Sequence, residues 1–166
     1  MRIHIKDRGF INFFILGYEF PEDRDDFDAD WLVIGVEGEI DGERWDSASA
    51  CMMVDDSEGM VEWLEKLVTG IKPRKSYAPT GFEPAFDIGY LGRRGKIYAL
   101  CIELEPFMAP ESADKSERYI IETAISHDDL KRMLEEWKKD AEKFPSRQVD
   151  RSKVLVNSVD IWDFGQ

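Results

Sequence analysis

Six carboxylates crowd a short stretch between Pro21 and Trp31: Glu22, Asp23, Asp25, Asp26, Asp28 and Asp30, opposed only by Arg24. Crowded carboxylates repel one another and destabilise a compact chain, so such a run calls for a physical reason. Three readings stay open. The run is a solvated loop between two strands, as charge runs usually are. Alternatively it is a surface that meets a basic partner, because clustered charge raises encounter rates. The third reading is a calcium-responsive or other small-ligand-binding module using residues 22–30. Asp26, Asp28 and Asp30 follow the alternating acids of an EF-hand loop, and Glu37 falls where its closing glutamate would be. Against calcium, Trp31 occupies the glycine position of such a loop, and the residues after it read as strand, with no helix on either side.

Other reactive side chains offer less. His4 lies in a first strand and His127 at a helix start, where the dipole disfavours its charged form; no serine or cysteine accompanies either in a nucleophile pattern. Cys51 and Cys101 sit inside apolar runs without a Cys-x-x-Cys spacing and read as small buried hydrophobes of a reducing compartment. Gly92-Arg93-Arg94-Gly95-Lys96 lacks the strand–loop–helix setting of a phosphate loop and reads as a hairpin turn. Phe107 and Met108, in a loop between Pro106 and Pro110, either tuck onto the core or form a contact surface. A carboxylate-based hydrolase has no located site, so neither catalytic residues nor a cofactor nor a bound metal is expected.

Charge narrows the partners. Asp and Glu number 35 against 22 Lys and Arg, a net charge of −13 over 166 residues. Such a field repels phosphate backbones and anionic membranes and attracts cationic surfaces. The apolar stretch from Phe10 to Tyr18 is far short of the ~20 residues a membrane helix needs, and no signal-peptide cleavage pattern follows it. These features predict a cytoplasmic protein with a protein partner, and no nucleic acid or membrane.

Periodicity supplies the elements that position these residues. Phe10–Phe20 is apolar on both alternating faces, as in a strand covered on both sides. Leu32, Ile34, Val36 and Ile40 share one strand face, Asp41-Gly42 predicts a tight hairpin, and Arg44–Met53 returns. Met60, Trp63, Leu64 and Leu67 mark a helix, with Asp55 and Glu58 at capping-box spacing and Gly70 at its end. Phe86, Ile88 and Tyr90 begin a hairpin through Gly92–Gly95 to Tyr98, Leu100, Ile102 and Leu104; Tyr119, Ile121, Thr123 and Ile125 form another strand. Leu130, Met133, Leu134, Trp137, Ala141 and Phe144 make a second helical stripe, with Ser126 and Asp129 at its cap and Pro145 at its end. The prediction is an α+β fold: a mainly antiparallel sheet of about six to eight strands with two amphipathic helices, in two strand-strand-strand-helix units. One domain spans 1–147. Residues 148–166 form a C-terminal extension, an extra strand or a tail that docks on its own domain or on a second copy as a homodimer.

The run Leu16-Gly17-Tyr18-Glu19-Phe20-Pro21, the acidic stretch and then Asp30-Trp31-Leu32 resembles the opening of the WapI-type immunity proteins. The likeness continues through the Trp-bearing helix, Phe82-Glu83-Pro84 and the closing Glu142-Lys143-Phe144-Pro145, with Asp30 standing where the pattern has Asn. The resemblance implies a bacterial antidote that sits in the cytosol and neutralises the C-terminal toxin domain, expected to be a nuclease, of a contact-delivered cell-wall-associated protein. It carries over no catalytic residues and gives Tyr18, Phe20, Pro21 and Trp31 structural roles. A nuclease surface tends to be basic, and an acidic protein can meet and block it without catalysis.

Overall fold

A computed structural model describes residues 1–22, 27–81 and 85–148. Four strands form the first sheet in chain order: β1 (Arg2–Ile5), β2 (Gly9–Tyr18), β3 (Trp31–Ile40) and β4 (Glu43–Met53), each antiparallel to its neighbours. Helix α1 (Val54–Val68) follows β4 directly. The second sheet is β5 (Phe86–Arg94), β6 (Ile97–Leu104) and β7 (Tyr119–Ser126), again an antiparallel meander, and α2 (His127–Ala141) follows β7 directly. The expected α+β architecture holds. Its two units are four strands plus a helix and three strands plus a helix, and the strands divide between two sheets.

One apolar cluster joins the units. The inward residues of β2 and β3 (Ile11, Phe13, Ile15, Leu32, Ile34 and Val36) meet Phe86, Ile88, Leu100 and Ile102 of the second sheet and the stripes of both helices. Phe13 and Phe86 touch across the sheets with ring centroids 4.6 Å apart. Trp137, fully buried on α2, donates its indole N–H to the Ser57 carbonyl of α1 at 3.1 Å, which satisfies the polar atom of a ring this deep in the core. Thr123 of β7 donates to the His4 carbonyl of β1 at 3.1 Å. Cys51 and Cys101 are free and buried, and burial pushes the Cys51 thiol up to about 11.

Local signals mostly act where they were read. Asp41 and Gly42 both adopt positive φ, 52° and 86°, the mirror-image turn whose twist matches the flanking strands. At α2, Ser126 Oγ accepts from Asp129 N at 3.1 Å while the Asp129 carboxylate accepts from Ser126 N at 3.2 Å, the expected reciprocal cap.

Four expectations are corrected. Helix α1 begins at Val54, so Asp56 rather than Asp55 caps it, accepting from Met53 N at 3.1 Å. Gly92, Arg93 and Arg94 are strand residues after a bulge near Leu91, leaving Gly95-Lys96 as the turn. Phe144 lies beyond the end of α2. Strand β2 is covered on one side only, with Leu16 54 % exposed on the other. In the Pro106–Pro110 loop, Met108 is fully buried and Phe107 is exposed, so each half of that expectation applies to one residue.

Candidate functional site

Strand pairing carries the chain up to the acidic run from both sides. Glu19 N donates to the Trp31 carbonyl at 2.8 Å, the last rung before β2 and β3 part. Beyond that rung the segment is gripped by the residues that follow α2. Arg147 donates from Nη2 to the Phe20 carbonyl at 2.9 Å, from Nη1 to the Pro21 carbonyl at 3.0 Å and from Nε to the Ala29 carbonyl at 3.1 Å. Its guanidinium carbon lies 3.6 Å from the centre of the Tyr18 ring. A planar five-donor cation is suited to this, since it can bind several carbonyls and stack at once. One side chain thus ties the start of the loop to its end.

Asp30 completes the clasp. It ends a short 3-10 helix (Phe27–Asp30) and is 3 % exposed. Its carboxylate accepts from Ser146 Oγ at 2.5 Å and from Arg147 N at 2.7 Å, so the buried charge has polar partners on both oxygens. Tyr18 donates its hydroxyl to the Pro145 carbonyl at 2.5 Å and meets Phe144 edge-on at 5.5 Å. The Tyr-Glu-Phe-Pro run near the start and the Phe-Pro near the end are therefore two halves of one contact.

The six acids do not share one environment. Glu22 and Asp28 are exposed. Asp30 is turned inward and committed to Ser146 and Arg147. Asp23, Asp25 and Asp26 lie outside the described residues, as does the extension from residue 149 that was expected to dock or pair. The calcium pattern loses its setting: β3 runs from Trp31 past Glu37 without a helix, and among the described residues no group of three or more His, Cys, Asp or Glu could hold a metal ion.

A second carboxylate cluster, on the outer side of the β5–β7 sheet, was not legible in the sequence. Arg118 reaches Asp87 at 2.6 Å, Glu103 at 3.1 Å and Glu105 at 2.6 Å. Tyr77 donates to Glu103 at 2.6 Å, and Thr80 donates to Asp87 at 2.9 Å. The Tyr77 hydroxyl, then the Arg118 cation, hold the Glu103 carboxyl below its usual range, while the carboxylate pushes Tyr77 up to about 12. All three carboxylates have hydrogen-bonding or ion-pair partners already in place, which suits a structural brace. The histidines add no nucleophile: His127 Nδ1 faces the Tyr98 hydroxyl at 3.2 Å, and His4 is exposed on β1.

The profile of the immunity protein WapI-like family matches residues 2–145. The chain belongs to the WapI-like immunity protein family. Comparison with curated proteins and with solved structures gives no match. Membership supports an immunity role, and it covers both halves of the clasp up to Pro145, with Ser146 and Arg147 immediately beyond. No helix among the described residues of this WapI-like protein is long and apolar enough to cross a membrane. What sequence reasoning missed is Arg147 itself. Its partners lie more than a hundred residues away, and only a lone arginine just after Phe-Pro hinted at it.

Proposed function

We propose that this WapI-like protein is a cytosolic antidote. It binds and occludes the toxic C-terminal domain, a nuclease by expectation, of a contact-delivered polymorphic toxin, and it does so without catalysis. The observation that carries this reading is the family match over residues 2–145. The net charge of −13 supports it, because an anionic protein meets a basic, nucleic-acid-binding surface quickly. In this reading Glu22, Asp23, Asp25, Asp26 and Asp28 contact the toxin from the loop that Arg147 clasps, and Asp30 serves the same contact by holding the loop's end. A loop tied at its base loses less entropy on binding than a free one, which favours affinity.

The test uses the purified C-terminal domain of the WapI-type surface protein from the same bacterium. Wild type is expected to bind it and to protect cells that express it. Changing Asp25, Asp26 and Asp28 together to Asn should slow association about tenfold at roughly 0.05 M salt and leave little difference near 0.5 M, where exposed charges are screened. Unchanged association at low salt would remove the loop from the contact. Absence of both binding and protection by wild type would remove the antidote reading itself.

A further inference from the structure

The four-stranded sheet buries one face and leaves the other open. Register places Phe14, Gly35 and Ala48 side by side on the open face of β2, β3 and β4, with Leu16 and Val33 further along. The floor is apolar because Gly35 allows it: a Cβ at Gly35 would come within 2.6 Å of the Phe14 ring, so the glycine lets that aromatic lie flat across the neighbouring strand. Ala48 is exposed and Leu16 is 54 % exposed, so apolar surface faces solvent here.

Beside this floor runs a groove of about 470 Å³, walled by Phe10 and Phe14 on one side and by Glu37, Glu39, Arg44 and Asp46 on the other. Glu39 is paired with Arg44 at 2.8 Å. Glu37 and Asp46 sit directly opposite each other on β3 and β4, both exposed, and among the described residues neither has a cation in ion-pair range. Like charges placed directly across a strand pair destabilise a sheet. A basic side chain arriving from outside would resolve the repulsion and use the aromatic wall together. Its aliphatic stem would lie on Phe14, and its charge would sit between Glu37 and Asp46. The chain already makes this kind of contact internally, with the Arg2 guanidinium 4.0 Å from the centre of the Phe10 ring.

We propose that the open face of the β1–β4 sheet is a docking surface for a protein that presents Lys or Arg around an apolar patch. For the identity of that protein, the basic toxin domain, the inference rests on the antidote reading above. Charge complementarity selects this occupant, since among the described residues Glu37 and Asp46 have no cation in ion-pair range.

Thiol footprinting of the full chain tests it. The native cysteines are buried, at 1 % and 5 % exposure, so a maleimide reports on introduced thiols at Ala48→Cys and Leu16→Cys, with Ile120→Cys on the other sheet as control. In the free protein all three should label quickly. Adding the inactivated toxin domain should slow labelling at Ala48→Cys and Leu16→Cys about tenfold or more, as water is excluded from an interface core, and leave Ile120→Cys unchanged. Equal labelling with and without bound toxin domain would overturn the surface assignment while the antidote reading stands. Slow labelling at Ala48→Cys and Leu16→Cys before any toxin is added would overturn it too, giving the face to a second copy or to the chain's own terminus. No binding by wild type would overturn the antidote reading, and the partner's identity with it.

Discussion

On the three-stranded sheet, the Tyr77 ring lies over Gly89 and its hydroxyl is fixed on Glu103; on the four-stranded sheet, the half-buried Phe14 ring lies over Gly35 and has no polar atom to anchor it. Both sheets set an aromatic on a glycine, yet the surroundings differ. Tyr77 is itself 41 % exposed, but around it the chain supplies its own polar partners. Ala78 N donates to Ile88 O at 2.9 Å, Tyr90 N to Ser76 O at 2.7 Å, and Arg118 gathers Asp87, Glu103 and Glu105. Around Phe14 the carboxylates Glu37 and Asp46 oppose each other and the apolar floor is left bare. The same element type is finished for stability on one sheet and left incomplete on the other. Incomplete surfaces of this kind are what binding completes, at a modest cost to the free protein.

The largest expected effect breaks the closed face. Arg118→Met leaves Asp87, Glu103 and Glu105 without the cation that gathers them. Losing one partner of a buried charge pair costs about 3–5 kcal/mol, and because Arg118 is 30 % exposed we expect about 2 kcal/mol here. Urea unfolding reads this as a lower midpoint at unchanged slope. Binding of the toxin domain by the folded variant should stay at the wild-type level, since this cluster lies on the other sheet.

Next come paired glycine substitutions. An added Cβ at Gly89 would lie 3.0 Å from Tyr77, whose ring is held by its own hydroxyl, so Gly89→Ala strains a fixed contact and should cost about 1 kcal/mol. At Gly35 the clash with Phe14 is closer, 2.6 Å, but that ring can swing into solvent. Gly35→Ala should therefore cost under about 0.5 kcal/mol, helped by the reduced freedom of the unfolded chain. Toxin binding should respond in the opposite order, falling for Gly35→Ala and holding for Gly89→Ala. Equal stability losses in the two variants would erase the distinction between the faces.

Acid should separate the faces through Glu103. Its folded pKa lies below the ordinary 4.5, chiefly because Tyr77 donates to it. A depressed carboxyl contributes stability that is fully present above about pH 4.5 and is lost as pH falls through the folded value. Tyr77→Phe should cost about 0.5 kcal/mol at neutral pH, reduced from a typical charged hydrogen bond because the side chain is partly exposed. The gap from wild type should close as pH falls below that range. A gap that stays constant down to pH 3 in urea titrations would mean the Tyr77 hydroxyl does not act through the Glu103 carboxylate.

Much of this architecture was legible in the residues because it is encoded locally. Alternation set the strands, the Leu130–Trp137 stripe set α2, Asp41-Gly42 set a hairpin, and Ser126 with Asp129 set a cap. Each depends on neighbours within a few positions. The misplaced features were decided by contacts distant in sequence. The cap of α1 shifted by one residue because β4 runs straight into the helix. The double-sided reading of β2 failed because apolar alternation on an outward face looks the same whether a helix or solvent lies over it. For the candidate site, the acidic run was plain, but its inward turn at Asp30 was not, since Ser146 and Arg147 arrive from more than a hundred residues away, just past the matched region.

The smallest stability effect carries the sharpest test, because its sign differs between the two faces. Glu37→Gln with Asp46→Asn removes a like-charge pair from directly opposite positions, so the free protein should gain about 0.3 kcal/mol, a rise in melting temperature of about 1 °C. The matching change on the other sheet, Asp87→Asn with Glu103→Gln, removes two of the three carboxylates that meet Arg118 and should lose stability. Binding should run the other way. The first pair should weaken the toxin complex about tenfold and flatten its salt dependence, while the second should leave it unchanged. Among the described residues neither carboxylate has a cation in ion-pair range, and a partner's basic side chain would supply the compensating charge. If the Glu37 and Asp46 variant were less stable than wild type and bound equally well, those acids would belong to the fold like Asp87 and Glu103, and the two faces would be alike.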